Sequence, residues 1–530
     1  MPAGGFSASS ARPSGMEFEA KITPMVVTSC VTAATGGLMF GYDIGVSGGV
    51  TSMEDFQREF FPTVLRKSRK NKGSNYCRYD SQGLQLFTSS LYLAGLVSTF
   101  FASYTTRRLG RRATMRIAGA FFIVGVIFNG AARDLGMLIV GRILLGCGVG
   151  FANQAIPLFL SEIAPTTNRG GLNSLFQLNI TVGILFANLV NYGTNRYLPI
   201  RRLPCYVCFP TIYTIYRSFA FHKMSVYAYR LISKWFSASC RIHPWGWRLS
   251  LSLAGFPVVL FTLGAFFMVD TPNSLIERGR QEEGKVVLKK IRGTENVEPE
   301  FNEIVEASRI AHDIKNPFRS LLQRRNRPLL MITILLQMFQ QLTGINAIMF
   351  YAPVLLTTLG FKTEASFYSA VITGAVNVLS TFVSMYVVDR VGRRMLLLDV
   401  GVQMFLSLVA MAVVMRARVT DRSDHLGHDW AIMVIIIICN FVSFFAWSWG
   451  PLGWLSPSKT FLLETRSAGQ SISVCTNLLF TFVFAQVFLS MLCHLKSFIF
   501  VFFLRPFCHH VALRPLIPTR NKEHSHRGDG

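Results

Sequence analysis

Charged side chains are scarce in this chain of 530 residues, of which they make up only 15%. An average soluble domain has about 25%. Hydrophobic residues make up 51% of the chain, and 45 residues are Phe. This composition excludes an ordinary soluble domain. It predicts a membrane protein with room for about a dozen spans of about 20 residues each.

Motifs for chemical catalysis are also missing from the sequence. There is no nucleotide-binding loop, no metal-ligand cluster and no constellation around a nucleophile. Cys205 and Cys208 form a CxxC, but no second pair follows at the spacing of a zinc site. The sequence therefore predicts a protein that is not an enzyme and that holds no cofactor or metal. Residues 1–20 lack the apolar core of a cleavable signal, so we expect the first span to direct membrane insertion.

Acidic residues are absent from 197–244, which contains seven Lys or Arg. The formal charge of the whole chain is +25. Such a charge is compatible with nucleic-acid binding, but in a membrane protein basic residues gather in cytoplasmic loops and set the topology. We therefore expect a lipid bilayer, and no nucleic acid, as a partner.

Apolar blocks divide the chain into two similar sets of candidate spans. The first set is 24–44, 84–104, 115–132, 136–157, 171–193 and 248–269. The second set is 328–352, 367–388, 395–415, 431–455 and 469–493. A charged linker, 270–327, lies between the sets. Its amphipathic segments near 281–292 and 297–313 predict helices that rest on the cytoplasmic face.

Short loop motifs recur at the same place in each set. "RRLGRR" at 107–112 corresponds to "DRVGRR" at 389–394. "SEIAPTTNRGG" after the fourth span corresponds to "PSKTFLLETRSAGQ" after the tenth. Parallel repeats of this kind predict a two-lobed transporter with its site between the lobes. The basic loops fall on one side, which we assign to the cytoplasm together with the amino terminus.

Several of these motifs resemble the sugar porter branch of the major facilitator superfamily. They are "GRRAT", "SEIAP", "QQLTGIN", "GPLGWL" and "LETRSAGQS". "MFGYDIGVSGGVTSM" and "DTPNSLIERG" resemble the plant monosaccharide–proton symporters. The resemblance covers about residues 20–196 and 245–496. It implies an all-α membrane protein with the major facilitator fold, two six-helix lobes and cytoplasmic linker helices.

The same resemblance implies a function, which is the proton-coupled import of a monosaccharide, a hexose. The partners would be the sugar, the proton and the bilayer of the plasma membrane, and the carrier would be a monomer. Two alternatives stay open at this point. One is a facilitative sugar carrier, and the other is a sugar sensor or an inactive truncated form that does not transport.

Two segments depart from the family pattern. The family passes within a few residues from "NYGTN" to the sixth span, whereas this chain carries 197–244 between them. After Lys496 only about eight apolar residues run unbroken, and a spanning helix needs about 17–25. We interpret both segments as translated non-coding sequence, so that the twelfth helix is defective or atypical. A genuine lineage-specific loop is the alternative for the insert.

These features predict the following division of the chain. The parts are a cytoplasmic amino terminus (1–23), an N-terminal lobe (24–196 and 245–269), an extracellular insert (197–244), the linker (270–327), a C-terminal lobe (328–496) and an atypical tail (497–530).

The candidate proton site consists of Asp43 and Arg142. Asp43 lies near the outer end of the first span, and Arg142 lies at a similar depth in the fourth. A lone carboxylate in lipid is costly, so such residues face a partner or a cavity. The resemblance implies that Asp43 carries the proton and takes it up when Arg142 moves away. A static ion pair between helices is the alternative.

The candidate sugar site consists of uncharged polar groups near the midplane with aromatic residues beside them. Amides pair with sugar hydroxyls, and an aromatic ring covers the apolar face of the sugar. The residues are Gln177, Gln340, Gln341, Asn346 and Asn377 with Trp454, and Phe40 one turn before Asp43 would couple the sugar and proton sites. For each amide alone, a hydrogen bond between helices is an equal alternative. The family positions favour a sugar-binding set.

The resemblance also implies a gate on the cytoplasmic side. Arg111, Arg112 and Glu162 would pair in the first lobe when the carrier faces outward. In the second lobe the corresponding residues are Arg393, Arg394 and Glu464.

Lys459 stands where the family has an acid, and we expect it to weaken this gate. Snorkelling of a surface lysine is the alternative.

Cys77 and Cys493 both fall outside, where oxidation is possible. The resemblance implies that they form a disulfide over the site, and two free thiols are the alternative.

Overall fold

The computed structural model describes most of the chain. The described ranges are 23–69, 75–77, 79–165, 169–197, 246–312, 317–358, 363–391, 393–418, 428–451, 453–454, 461, 463–496 and 498–504. The predicted insert 197–244, apart from Tyr197, lies outside the described residues, as do Lys459 and most of the predicted tail.

Helices make up all the regular secondary structure of the described ranges. In the first half they are α1 (Pro24–Ser52), α2 (Glu54–Phe60), α3 (Pro62–Arg69), a 3₁₀ turn (Asn75–Cys77), α4 (Gln82–Arg108), α5 (Arg111–Gly130), α6 (Leu135–Ile163), α7 (Arg169–Tyr197), α8 (Gly246–Ser252) and α9 (Gly255–Phe267). The linker carries α10 (Pro272–Glu277), α11 (Gln281–Arg292), α12 (Glu298–His312) and α13 (Pro317–Leu321). The second half carries α14 (Arg327–Leu342), α15 (Ile345–Thr358), α16 (Thr363–Val391), α17 (Arg393–Arg418), α18 (His428–Trp447), α19 (Leu463–Leu495) and α20 (498–504).

Ten helical stretches of the described residues are long and apolar enough to cross a membrane, and the number rises to 11 when a bent pair counts as one span. The bent pair is α14 with the first part of α15, at an angle of 43°. The sequence predicted one uninterrupted span over 328–352. Gly344 ends α14 instead, with φ +80, a backbone conformation that only glycine adopts readily.

Helix α1 is longer than the predicted span 24–44 and continues to Ser52. Its carboxyl-terminal part is rich in Gly, Ser and Thr, which lowers the hydropathy but does not stop the helix. Thr23 caps the amino terminus by accepting a hydrogen bond from the backbone N–H of Val26. Pro24 is the first helical residue, a position at which the backbone N–H that proline lacks would have no partner within the helix. Asp43 therefore lies inside the helix and is not at its end.

Close packing between α1 and α7 depends on a row of glycines. A Cβ at Gly41 would lie 1.9 Å from the backbone oxygen of Ile180, and one at Gly37 would lie 2.6 Å from that of Phe176. Gly45 faces Ile184 in the same way. Small residues at four-residue spacing allow two membrane helices to approach this closely. The backbones of α1 and α7 are thus in direct contact over several turns.

A further glycine of α1 contacts the second half of the chain. A Cβ at Gly48 would lie 1.8 Å from the backbone oxygen of Phe350 in α15. Helix α15 is itself kinked at Tyr351, just before Pro353, because proline cannot supply the helical N–H donor at its position. The two halves of the chain meet here backbone to backbone.

The linker helices are tied to the inner ends of the spans. Arg292, at the end of α11, forms a two-pronged ion pair with Glu300 of α12. Its other guanidinium nitrogen, Nη1, donates to the backbone oxygen of Ile163 at the end of α6, at 3.0 Å. Gly293 ends α11 with φ +66. The linker is therefore packed against the inner end of α6.

Candidate functional site

Asp43 of α1 and Arg142 of α6 face each other inside the first half of the chain. Their closest atoms, Oδ1 of Asp43 and Nη1 of Arg142, are 3.7 Å apart, and both side chains are buried. No hydrogen bond joins them: Oδ2 of Asp43 and all three guanidinium nitrogens of Arg142 have no hydrogen-bond partner in the described structure. The Arg142 guanidinium lies 4.1 Å above the ring of Phe87, where it gains a cation–π attraction.

Aromatic residues connect this pair to the second half of the chain. Tyr92 of α4 interacts electrostatically with both Asp43 and Arg142. Its ring stacks on that of Phe350 in α15, with centroids 5.1 Å apart. Phe40, one turn before Asp43, is buried in the main hydrophobic core. A movement of α15 would therefore be transmitted to Asp43 and Arg142 through the stacked rings of Phe350 and Tyr92.

A network of amides lies between α14 and α19 in the second half. Nε2 of Gln340 donates to the backbone oxygen of Trp449 at 2.8 Å. Asn477 of α19 donates to the side-chain oxygens of both Gln337, at 2.8 Å, and Gln340, at 3.1 Å. Gln337 in turn donates to the backbone oxygen of Gly453 at 2.6 Å. The network fixes the orientation of Gln340 in a buried site.

A second amide pair lies where the span bends. Asn346, just after the bend, donates to the side-chain oxygen of Gln341. It also donates to the hydroxyl of Thr481 on α19 at 3.2 Å. Asn346 is half-buried, whereas Gln341 is buried. The bend at Gly344 thus brings these two amides together and exposes one of them more than the other.

The first half contributes Gln177 of α7 to the same region. A Cβ at Gly450 would lie 3.1 Å from Nε2 of Gln177, so this amide lies against the break that follows α18. Phe176 meets Trp454 edge to face, with ring centroids 5.3 Å apart. Trp454 is buried. The "GPLG" break therefore faces residues of the first half across the boundary between the halves.

Asn377 of α16 is buried nearby in the second half. Its Nδ2 contacts the sulfur of Met349 at 3.9 Å, and its Oδ1 has no hydrogen-bond partner in the described structure. A buried amide oxygen without a donor is costly. A sugar hydroxyl or a water could satisfy it.

Three residues of the amide network were not predicted from the sequence. They are Gln337, Asn477 and Thr481. Asn477 carried a usable signal, because it is an amide inside the apolar stretch 469–493, where polar residues are costly and commonly functional.

Of the residues predicted to form an inner gate, Arg111 and Glu162 pair in the described structure. Arg111 is buried and donates to Glu162 at 2.8 Å and to Glu277 of the linker at 2.6 Å. Glu162 also accepts a hydrogen bond from Thr271. The Arg112 side chain lies elsewhere and donates to the backbone oxygen of Phe266. The side chains of Arg393, Arg394 and Glu464 lie outside the described residues.

Arg466 brings the second half of the chain to this gate. Its guanidinium, on α19, interacts electrostatically with Glu162, Glu277 and Arg111. The next residue, Ser467, accepts a hydrogen bond from Gln154 of α6 through its backbone oxygen, at 2.9 Å. Arg466 was not among the residues predicted for the gate, although it lies inside "LETRSAGQ". Contacts at this level hold the halves together on the side of the linker.

On the opposite side, Cys77 and Cys493 form a disulfide. Beside it, Ser490 of α19 donates to Asp80 at 2.7 Å, and Ser89 of α4 donates to Gln486 at 2.6 Å. The disulfide and these hydrogen bonds join the first half to the end of α19. The buried amides lie between this outer set of contacts and the inner gate.

The arrangement suits a carrier of a neutral, hydroxyl-rich solute. Amides and aromatic residues from both halves converge on a buried region, and the first half also contains a buried ion pair without hydrogen bonds. Of the predicted site residues with described side chains, the structure pairs Asp43 with Arg142, Gln341 with Asn346, Arg111 with Glu162, and Cys77 with Cys493.

Comparison with known proteins agrees with this architecture. The family described as "Sugar (and other) transporter" matches residues 29–509. Sugar transport protein MST4 of Oryza sativa subsp. japonica is 72% identical over 501 residues, which is 94% of this chain and 88% of the relative. Sugar transport protein 13 of Arabidopsis thaliana is 63% identical, over 95% of this chain and 87% of the relative.

Among solved structures, the proton:xylose symporter XylE bound to 6-bromo-6-deoxy-D-glucose matches with a TM-score of 0.71 and 21% identity. The match covers 93% of this chain and 95% of that structure. At this level of identity the likeness establishes the fold, which is the twelve-helix major facilitator fold.

The molecule is therefore a multi-pass membrane transporter with the major facilitator fold. Within that class, the chain belongs to the sugar transporter family, whose members are transporters.

Proposed function

We propose that the chain is a proton-coupled monosaccharide symporter that imports hexose across the plasma membrane. The observation that carries the proposal is the buried Asp43–Arg142 pair, which is 3.7 Å apart and has no hydrogen bond between its members. A buried ion pair held only by attraction separates more readily than a hydrogen-bonded one. When it separates, the carboxylate left in a buried site takes up a proton.

The sugar would bind between the halves. Gln340, Gln341, Asn346 and Asn377 would pair with hydroxyls, and Gln177 would reach the same region from α7. Trp454 would contact an apolar face of the ring. Two printed names support a monosaccharide: the relatives are named sugar transport proteins, and the structural neighbour XylE is named a proton:xylose symporter. The binding groups belong to the two halves of one chain, so the proposal is for a working monomer with no nucleic-acid partner and no chemical step on the sugar.

Coupling would follow from the contacts between the halves. Protonation of Asp43 releases Arg142, and Tyr92 transmits the change to Phe350 of α15, on which it stacks. Helix α15 also carries Asn346 of the sugar site. The inner gate around Arg111, Glu162 and Arg466 would open when the carrier turns inward with both ligands bound, and it would close again when the empty carrier returns.

Uptake of a labelled hexose by the full chain, in cells that lack their own hexose carriers, tests the proposal. Accumulation above equilibrium that a protonophore abolishes supports symport. Uptake that stops at equilibrium and ignores the protonophore would identify a facilitative carrier instead. The absence of uptake at normal surface expression, with hexose binding retained, would identify a sensor or an inactive form.

One observation favours that last candidate. After Lys496 only about eight apolar residues precede Arg505 and Pro506, whereas a spanning helix needs about 17–25. The hydrocarbon core of a bilayer is about 30 Å thick.

A further inference from the structure

The end of the linker forms an exposed basic surface beside the membrane. We call residues 317–327 the pre-span segment; it consists of α13 and the turns that lead into α14. Arg319, Arg324 and Arg325 are exposed in it. No ion pair to any of the three is found among the described side chains. Three arginines thus face solvent without a carboxylate.

Other exposed basic residues of the linker differ in this respect. Arg309 pairs with Glu306 at 2.9 Å, and Arg280 pairs with Glu283 on the same helix. Lys289 pairs with Glu295 at 2.5 Å. Among the described side chains, the pre-span segment therefore carries three unpaired positive charges, whereas the basic residues of α11 and α12 are mostly paired, with the exposed Lys290 as an exception.

Apolar side chains accompany these arginines on the surface. Phe318 is 42% exposed and Leu322 is 59% exposed. The segment leads directly into the span that begins at Arg327, so it lies at the level where head groups meet acyl chains. Exposed apolar residues next to unpaired arginines at that level fit an anionic lipid surface.

The segment is held firmly in this position. Leu321 is fully buried against Leu330, Phe461 and Ala468. Asn326 donates to the backbone oxygen of Ser320 at 3.0 Å, and Nε of Arg327 donates to that of Leu322 at 2.6 Å. The arginines are therefore displayed by an ordered turn.

The segment also touches both halves of the carrier. Phe318 meets Phe100 of α4, with ring centroids 6.5 Å apart. Leu321 packs against Ala468 of α19, two residues after Arg466 of the inner gate. A ligand that holds the segment in place would therefore favour the arrangement in which the two halves meet on the linker side.

We infer that the pre-span segment is a docking surface for an anionic phospholipid of the cytoplasmic leaflet. Arg319, Arg324 and Arg325 bind the phosphate and the carboxylate of the head group. Phe318 and Leu322 contact the upper acyl chain. Bound lipid stabilises the contacts of the segment with both halves.

The test measures lipid association directly and so does not depend on sugar transport. The purified full chain is placed in phosphatidylcholine bilayers that contain spin-labelled phosphatidylserine or spin-labelled phosphatidylcholine. The preference for phosphatidylserine is compared for the wild type, R324Q/R325Q and the matched control R280Q/R309Q. Each basic residue near an anionic surface contributes about fivefold to association.

We expect R324Q/R325Q to lose at least about fivefold in preference and R280Q/R309Q to keep it. R324K/R325K should retain most of it, because the charge remains. Raising the salt to 1 M should weaken the preference of the wild type, because the Debye length falls to about 3 Å. Equal losses in the two glutamine variants, or a wild type without preference, would overturn the inference.

A measurement on the wild type covers the case in which R324Q/R325Q does not fold. A photoactivatable phosphatidylserine analogue should label the peptide that contains 317–327 in preference to peptides of α11 and α12. Labelling spread evenly over the linker would also overturn the inference.

Discussion

Oδ1 of Asp43 lies 3.7 Å from Nη1 of Arg142, and both side chains are buried. Hydrogen bonds between nitrogen and oxygen have lengths of about 2.7–3.2 Å. The two charges therefore attract each other without a hydrogen bond between them. Removing either partner would leave the other charge uncompensated in a buried site, at a cost of about 3–5 kcal/mol. Protonation removes one charge without removing an atom, and the pair is therefore suited to repeated separation.

The substitution Asp43→Asn should abolish concentrative uptake and its dependence on external pH, because an amide does not cycle a proton. Exchange of sugar down its gradient should persist at a reduced rate. The measurement is the ratio of internal to external labelled hexose between pH 5 and pH 7.5, together with counterflow in proteoliposomes. Asp80→Asn is the control, since Asp80 lies in the outer hydrogen-bond set, and it should keep coupling. Unchanged accumulation in Asp43→Asn would rule out this residue as the proton carrier.

Substitution of the amides should weaken sugar binding. Gln340→Ala, Asn346→Ala and Asn477→Ala should each raise the apparent KM about 5- to 150-fold, because an unpaired buried polar group costs about 1–3 kcal/mol. Asn477→Ala acts indirectly, through the loss of its bonds to Gln337 and Gln340. The measurement is the concentration dependence of uptake at constant pH. Asn179→Ala is the control, because the described hydrogen bond of Asn179 goes to the backbone oxygen of Leu175 on its own helix. Normal KM values in all three variants would place the site elsewhere.

The inner gate should depend on Glu162. Glu162→Gln removes the carboxylate that pairs with Arg111 and attracts Arg466 through space, and Arg111 keeps Glu277. We expect a loss of about 1–3 kcal/mol in the stability of the state that is closed on the linker side. Alkylation of a cysteine introduced on the linker side of the sugar site should become several-fold faster. The exposed Glu282→Gln is the control, and equal rates in both variants would contradict the prediction.

The outer disulfide should stabilise the folded carrier. C77S/C493S should lower the free energy of unfolding by about 2–4 kcal/mol, the typical contribution of a disulfide. The melting temperature in detergent is the measurement. Reductant should lower the melting temperature of the wild type towards that of the double variant and leave the double variant unchanged. If reductant had the same effect on both, the stabilisation would have another source.

The two segments that depart from the family pattern predict weak transport by the chain as written. Deletion of 197–244 alone should restore little, because long outer loops are tolerated. Replacement of the tail after Lys496 by a complete twelfth helix should be required for strong uptake. The measurement is the initial rate of hexose uptake, normalised to surface expression, for the two single changes and their combination. Strong symport by the unmodified chain would show that both departures are tolerated.

Most of the fold could be predicted from the sequence, because apolar blocks and repeated loop motifs are local signals. The two linker helices were placed within a residue or two of their observed ends. The sequence did not predict that α1 continues to Ser52. Glycines have a low helix propensity, and the packing against α7 that stabilises this part of the helix is not visible in the sequence. The bend at Gly344 was missed as well, because a single glycine in an apolar run does not reveal its φ.

The site was predictable to a smaller extent. Asp43 and Arg142 could be paired from their depth, and the structure brings them together. The contacts of Asn477 and Arg466 join positions more than a hundred residues apart in the chain, and no periodicity encodes such a contact. Arg112 was assigned to the gate by its motif, but its side chain turns to the backbone of Phe266.

Because Gly48 has no side chain, the two halves of the chain can approach each other closely at this position. A Cβ at this position would lie 1.8 Å from the backbone oxygen of Phe350, which is less than any real contact allows. A single methyl group there would act as a wedge and force α1 and α15 apart on the outer side. We therefore expect a side chain at position 48 to shift the equilibrium between the outward-facing and inward-facing forms of the carrier.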